Sequence, residues 1–202
     1  SEKQEFTIED VLLPAPARDQ IVVRTHYTGI SIGTEFALIQ RKLNWGTYPL
    51  CTGYMGAGVV ESVGDDVTDI EVGDEVYVRR NDGMKLADGT AVSCVSGVHC
   101  SHILTKTGGT HGAARLILGV DMDVACMFVI PAVGFYGVSM ANPNIGDKVV
   151  VFGTGQIGIA VVAACALRGC EIIAVDINQK RLRVARQMGA DYIVNSAEQD
   201  LE

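Results

Sequence analysis

The chain has 202 residues, 48% of them apolar and 20% charged, with a formal net charge of −8. That length accommodates one large or two small domains, each with its own core, and the composition is that of a globular protein. The acidic balance argues against an extended nucleic-acid surface or a basic membrane face, and no apolar run nears the roughly 20 residues a membrane helix needs.

The opening Ser1-Glu2-Lys3-Gln4-Glu5 is polar and lacks the apolar core of a secretory signal, so the expected compartment is the cytoplasm. Pro14 and Pro16 mark a loop before the β-branched strand Gln20–Tyr27, which Gly29 ends. The turn Gly29–Glu35 leads into a short helix over Phe36–Lys42, and Asn44–Pro49, with Trp45, reads as a loop. Strands are expected over Val59–Val63, within Val72–Val78 and over Val98–Thr105, with glycine turns between them, which suggests a small β-barrel. Residues 79–97 read as a polar excursion. From Asp123 the pattern is helical, with a break at Pro131 and a continuation over Val133–Ala141. Beyond it the periods alternate: strand 148–152, helix 156–168, strand 171–175, helix 178–188, strand 191–194. The C-terminal third is therefore α/β on a β-rich first part.

The six cysteines (Cys51, Cys94, Cys100, Cys126, Cys165, Cys170) form no C-x-x-C pair and no regular framework, so no disulfides are expected. Cys126 and Cys165 sit in apolar runs and read as buried thiols.

The strongest chemical signal is Lys148 to Gly158. An apolar strand enters the turn Gly153-Thr154-Gly155-Gln156-Ile157-Gly158, a G-x-G-x-x-G pattern, and a helix follows. Gly153 permits the tight turn, Gly155 lets the backbone approach a pyrophosphate, and Gly158 lets the helix pack on the strand. The helix N-terminus offers free N–H groups and partial positive charge to the phosphates. Asp176, at the end of the second strand, is placed to accept hydrogen bonds from ribose hydroxyls and to repel a 2′-phosphate. NAD is thus expected over NADP. Lys180 and Arg181 on the next helix either soften that preference or, with Arg183 and Arg186, form a solvated basic helix face.

Several stretches together resemble the medium-chain dehydrogenase/reductase superfamily. They are Gly29–Glu35 (a variant of the family's GICGTD), Gly56–Gly64, Val72–Val76, Gly153–Gly158, Asp176 and Arg181–Ile193, in the family's order and spacing. The resemblance implies a GroES-like β-barrel substrate domain (1–125) followed by a partial Rossmann NAD(P)-binding domain (126–202). It also implies hydride transfer with a nicotinamide, in a fold of α/β plus β class. Arg181 joins Gly153–Gly158 and Asp176 as an expected cofactor-binding residue.

The chain departs from the family at its metal. The positions aligned with the catalytic zinc ligands hold Ile32, Tyr54 and Ile130, and the neighbouring glutamate position holds Met55. No zinc site is expected, because isoleucine offers no lone pair. A rival set, Cys94, His99, Cys100, His102 and His111, is rich in ligands, but strand alternation sends His99 and His102 to opposite faces. Proton transfer then falls to other groups: Thr34, retained where the family places a hydroxyl near the reacting oxygen, and Tyr54, whose alternative role is pocket lining. Tyr136 and Ser139 are weaker candidates, His26 reads as an ordinary barrel residue, and the family's relay histidine is replaced by Ala37.

Only the first half of a dinucleotide fold is present before Asp200-Leu201-Glu202, where a further helix is expected to begin. A fragment, a natural truncation, or an assembly pairing through the open edge of strand 149–152 would each fit, and homo-oligomerisation through that edge is one expectation. The leading functional reading is an NAD(P)-dependent, zinc-independent oxidoreductase acting on an alcohol, ketone or quinone-like small molecule, with neither nucleic acid nor membrane as partner. The alternative is a catalytically silent dinucleotide-binding or scaffold protein.

Overall fold

A computed structural model describes residues 5–44, 46–94 and 96–198. Trp45 of the expected 44–49 loop, the first four residues and the expected helix start at Asp200 lie outside the described residues. The chain forms two compact units, Ser1–Met127 and Phe128–Glu202.

The first unit runs β1 (Val11–Leu12), β2 (Gln20–Thr28), α1 (Ile32–Ile39), β3 (Leu50–Cys51), β4 (Gly56–Val63), β5 (Glu75–Val78), β6 (Lys85–Leu86), β7 (Ser93–Cys94), β8 (His102–Lys106), β9 (Ala114–Arg115) and α2 (Met122–Ala125). Its main sheet is antiparallel, in the order β8-β2-β4-β5-β9; β1 pairs with β6, and β3 runs parallel to β7. Among the described residues these strands make an open sheet flanked by two short pairs rather than a closed barrel. Alternation along β2 turns Ile21 and Val23 inward, where they meet Val60, Val76, Val78, Val98 and Ile103. The polar excursion 79–97 is pinned by buried Asn81. Its amide donates to the carbonyls of Gly97 and His102, and its carbonyl accepts from Leu104 N–H at 2.9 Å.

Three of the boundaries that differ from the sequence expectation have a local reason. Helix α1 starts at Ile32 rather than Phe36. Ser31 takes the extended N-cap conformation, and the Glu35 carboxylate reaches back to its N–H at 2.8 Å, a capping arrangement that draws Gly33 and Thr34 into the helix. Strand β8 starts at His102 rather than Val98, because the N–H groups of Val98 and His99 donate to the carbonyls of Gly53 and Thr52 instead of to a sheet neighbour. The helical break falls at 126–128 and not at Pro131, which lies in the first turn of the next helix, where no intrahelical N–H is needed.

The second unit runs α3 (Val129–Ala141), β10 (Lys148–Phe152), α4 (Gln156–Leu167), β11 (Glu171–Asp176), α5 (Gln179–Gln187) and β12 (Tyr192–Asn195). The strands are parallel in the order β10-β11-β12, with α4 and α5 as the crossovers. Val138, Val151, Val162, Cys165, Ile172, Ala174, Leu182 and Ala185 make the core. Asn178 caps α5 by accepting from the N–H groups of Lys180 and Arg181. Among the described residues β10 is an edge strand, with Val150 and Phe152 exposed on its outer face.

Ile172 is fully buried at the centre of this unit, whereas Leu118 is wholly exposed. Ile172→Ala should cost about 2–5 kcal/mol of unfolding free energy and Leu118→Ala less than about 0.5 kcal/mol, read by urea titration of the two variants.

Candidate functional site

The glycine turn between β10 and α4 is held from behind. Gly153 adopts a φ of +87°, open to glycine and strained for other residues, and its N–H donates to Val175 O at 2.8 Å. Thr154 is fully buried and donates to Asp176 Oδ2 twice, from its N–H at 2.7 Å and its hydroxyl at 3.0 Å. Asp176 Oδ1 accepts from Asn178 N–H at 2.8 Å. The Thr154 N–H, foremost among these bonds, holds the Asp176 carboxyl below its ordinary range, so it is ionised.

The front of the turn is open. Gly155 is the N-cap of α4 in extended conformation, no side chain caps the helix, and a Cβ at Gly155 would meet nothing within 4 Å. Gln156 and Ile157 form the first turn behind it. At Gly158 a Cβ would run into the carbonyl oxygen of Gly153, so helix and turn pack backbone to backbone. An uncapped helix N-terminus facing open space, beside a fixed carboxylate, fits a dinucleotide pyrophosphate and ribose. Arg181 lies exposed in the first turn of α5 and, with Lys180 and Arg183, lines an open depression of about 600 Å³.

In the first unit Thr34 is half-buried on α1 and Tyr54 is half-buried in the loop before β4. Ile32 is 78% exposed and Met55 is fully buried. Neither these nor Ile130 supplies an imidazole, thiolate or carboxylate, so the residues present do not fit a catalytic zinc ion. Among the described residues no group of three or more His, Cys, Asp or Glu is placed to hold a metal. Tyr136 and Ser139 are exposed on α3, and His26 is exposed on β2.

A constellation that the sequence did not reveal lies around Glu35, which is only 5% exposed. Its Oε1 accepts from Ser31 N–H at 2.8 Å, and its Oε2 pairs with His99 Nε2 at 2.8 Å. The other ring nitrogen, His99 Nδ1, lies 2.9 Å from Thr28 Oγ1. Burial pushes the Glu35 carboxyl up, but the bonds from His99, Ser31 and Thr52 outweigh it and hold the group below its ordinary value. His99 therefore does not occupy a strand face, as alternation suggested; it bridges a buried carboxylate and a threonine hydroxyl. The one available signal was an acid inside the apolar helix segment Ile32–Ile39. The thiols nearby are inert: burial pushes Cys51 up to about 12 and Cys100 up to about 11.

A β-rich unit followed by a βαβ unit with this turn defines an α/β protein with an appended β-rich module. Residues 17–132 match the family described as alcohol dehydrogenase GroES-like domain, and residues 157–202 match the one described as zinc-binding dehydrogenase. The chain belongs to this alcohol dehydrogenase family, within the medium-chain dehydrogenase/reductase superfamily. It is 29% identical to the S-(hydroxymethyl)glutathione dehydrogenases of Saccharomyces cerevisiae and Candida maltosa, over 97% and 94% of this chain and 60% and 58% of theirs. It thus spans about 60% of the length of these curated relatives.

Among solved structures, an alcohol dehydrogenase zinc-binding domain protein from Burkholderia ambifaria shares the fold with a TM-score of 0.81 at 23% identity, over 97% of this chain and 62% of that one. The Escherichia coli quinone oxidoreductase complexed with NADPH gives 0.73 at 20% identity, over 98% and 55%. Zinc stands in two of these descriptions, so the comparisons lend zinc independence no support. The case against zinc rests on the residues at the ligand positions. No helix among the described residues is long and apolar enough to cross a membrane.

Because the Glu35 pKa is lowered in the fold, its contribution to stability is fully present above the ordinary glutamate value of 4.5 and is lost as pH falls through the lowered one. Unfolding free energy measured from pH 7 to pH 3 should fall on acidification, and the fall should be shallower in Glu35→Gln. An identical acid limb in both proteins would remove Glu35 from that account.

Proposed function

We propose that this chain carries the adenosine and pyrophosphate half of an NAD site, within an oxidoreductase that interconverts an alcohol and a carbonyl compound without catalytic zinc. The observation that carries this reading is the Thr154–Asp176–Asn178 network behind the open face of Gly155. Residues 1–125 act as the substrate domain and 126–202 as the cofactor domain. The bound nicotinamide supplies the hydride acceptor or donor. The protein's residues place the phosphates on the α4 N-terminus and offer the Asp176 carboxylate to the ribose. Ionised Asp176 favours NAD over NADP; Lys180 and Arg181 act in the opposite sense across the neighbouring depression. Thr34 and Tyr54 are the hydroxyls assigned to the reacting oxygen, with Tyr54 also lining the pocket. The substrate is a small alcohol, ketone or quinone-like molecule, in keeping with the names of the relatives. Neither nucleic acid nor membrane is a proposed partner, and self-association through the β10 edge is part of the same reading.

The absence of zinc ligands at Ile32, Tyr54 and Ile130 favours a second reading, a dinucleotide-binding protein without turnover. Transfer of labelled hydride from NADH to a panel of aldehydes and quinones separates the two: binding without transfer selects the second.

Gly155→Val should leave thermal stability within a few degrees, because its Cβ enters open space, yet weaken NADH binding by tenfold or more by crowding the pyrophosphate. Asp176→Ala should weaken NADH about tenfold, about 1.4 kcal/mol, and narrow or reverse the preference over NADPH. Calorimetric titration with both nucleotides checks each; unchanged NADH affinity in Gly155→Val would place the pyrophosphate elsewhere.

A further inference from the structure

The Glu35–His99–Thr28 constellation is not accounted for by cofactor binding or by stability alone. A buried carboxylate is costly unless it is paired and hydrogen-bonded, and Glu35 is fully provided for by Ser31 N–H, His99 and Thr52. Being ionised, it accepts only, so His99 Nε2 carries the proton between them. In the neutral form of the ring that leaves the lone pair on Nδ1, directed at Thr28 Oγ1, 2.9 Å away. Hydroxyl, imidazole and carboxylate thus stand in the order that activates a hydroxyl for proton exchange.

The surrounding chain holds this geometry. The His99 ring packs on Gly53, where a Cβ would lie 2.7 Å from it, so no other residue at 53 leaves room for the ring. The backbone N–H of His99 is tied to Thr52 O, and Glu35 is fixed by the first turn of α1. Thr28 ends β2 opposite Gly56, immediately after Tyr54-Met55, so its hydroxyl shares one end of the sheet with Tyr54. The His99 side chain is 24% exposed, so the ring has a route to solvent. The Cys51 thiol, which donates weakly to the carbonyl of His99, stays neutral and adds no charge to the site.

We propose that Thr28, His99 and Glu35 form a proton relay, with Thr28 as the group that exchanges a proton with the substrate oxygen and Glu35 as a positioning residue. The proposal rests on the oxidoreductase reading above. In the oxidative direction the proton of the substrate hydroxyl passes to Thr28 Oγ1 as the threonine's own proton passes to His99 Nδ1. The imidazolium so formed is stabilised by Glu35 and later releases its proton to water. A bound nicotinamide would accept the carbon-bound hydrogen with its electron pair, so that the substrate would lose one hydride and one proton and become a carbonyl. Reduction runs the same steps backwards. The relay adds a path for the proton to the hydroxyls of Thr34 and Tyr54, neither of which is linked to an imidazole among the described residues.

Two measurements on the full chain test the relay separately from the activity. Nitrogen NMR of 15N-histidine-labelled protein, with His99 assigned from His99→Gln, should show the neutral ring protonated at Nε2 in the wild type. Glu35→Gln should lose that preference, and Thr28→Val should shift the Nδ1 resonance while Thr28→Ser retains it. A ring protonated at Nδ1 in the wild type, or one indifferent to both substitutions, would overturn the relay whether or not the chain turns over. Kinetically, with a substrate found in the hydride-transfer panel, His99→Gln and Thr28→Val should each lower kcat by about 10²–10⁴-fold, with unchanged NADH affinity. His99→Gln should also remove one limb of the pH–rate profile, and Thr28→Ser should restore most of the rate. Wild-type rates in both variants would overturn the relay. Intact ring tautomerism with no wild-type turnover at all would instead sink the oxidoreductase reading and, with it, the relay's assignment to the substrate oxygen.

Discussion

The second unit depends on one buried carboxylate. Asp176 sits at the C-terminal end of β11, yet its two oxygens bind the turn after β10 through Thr154 and the approach to α5 through Asn178. Two loops that face the same end of a parallel sheet are thereby locked to each other. The cofactor turn is shaped before any ligand arrives, so little ordering cost remains for binding. The same bonds keep the carboxylate ionised, the property on which the proposed preference for a free ribose hydroxyl over a phosphate rests. The backbone contact between Gly158 and Gly153 completes the arrangement by bringing the helix N-terminus against the turn.

A second buried carboxylate organises the first unit in a comparable way. Glu35 closes the first turn of α1 through Ser31 and reaches His99, 64 residues later in the chain. It therefore joins the α1 turn to the segment before β8, while His99 carries the link on to the end of β2 through Thr28. Three elements far apart in sequence are tied at one end of the antiparallel sheet by a polar cluster rather than by apolar packing. Removing one member of such a cluster leaves the others buried and underpaired, so its cost exceeds that of any single bond.

The legibility of the sequence follows this contrast. In the second unit the signals were local: apolar strand runs, helical periods between them and glycines at fixed offsets. There the elements after α3 lie within a residue or two of their expected bounds, and Asp176 at the end of β11 is bonded to Thr154 in the Gly153–Gly158 turn. In the first unit the bounds were set by tertiary bonds. Glu35 moved the start of α1 forward by capping Ser31, and Gly53 and Thr52 drew Val98 and His99 away from the sheet. Strand alternation was a sound rule applied to residues that are not in a strand, and so His99 was set aside as an ordinary strand residue. Pairing across 64 positions leaves no trace in a single sequence beyond an acid in an apolar helix.

In the proposed zinc-free reading, the residues at the ligand positions and the Glu35–His99–Thr28 cluster bear on each other. A zinc ion polarises an oxygen and lowers the pKa of what it binds, without needing a proton shuttle nearby. Ile32, Tyr54 and Ile130 carry no such charge, whereas His99, paired with the buried Glu35 carboxylate, is bonded through its backbone to Thr52, two residues before Tyr54. An unprotonated imidazole nitrogen aimed at a hydroxyl is a means of moving a proton that works at neutral pH without a metal. In the proposed relay the third member, Thr28, at 2.9 Å from the other ring nitrogen of His99, extends the carboxylate–imidazole pair into a path.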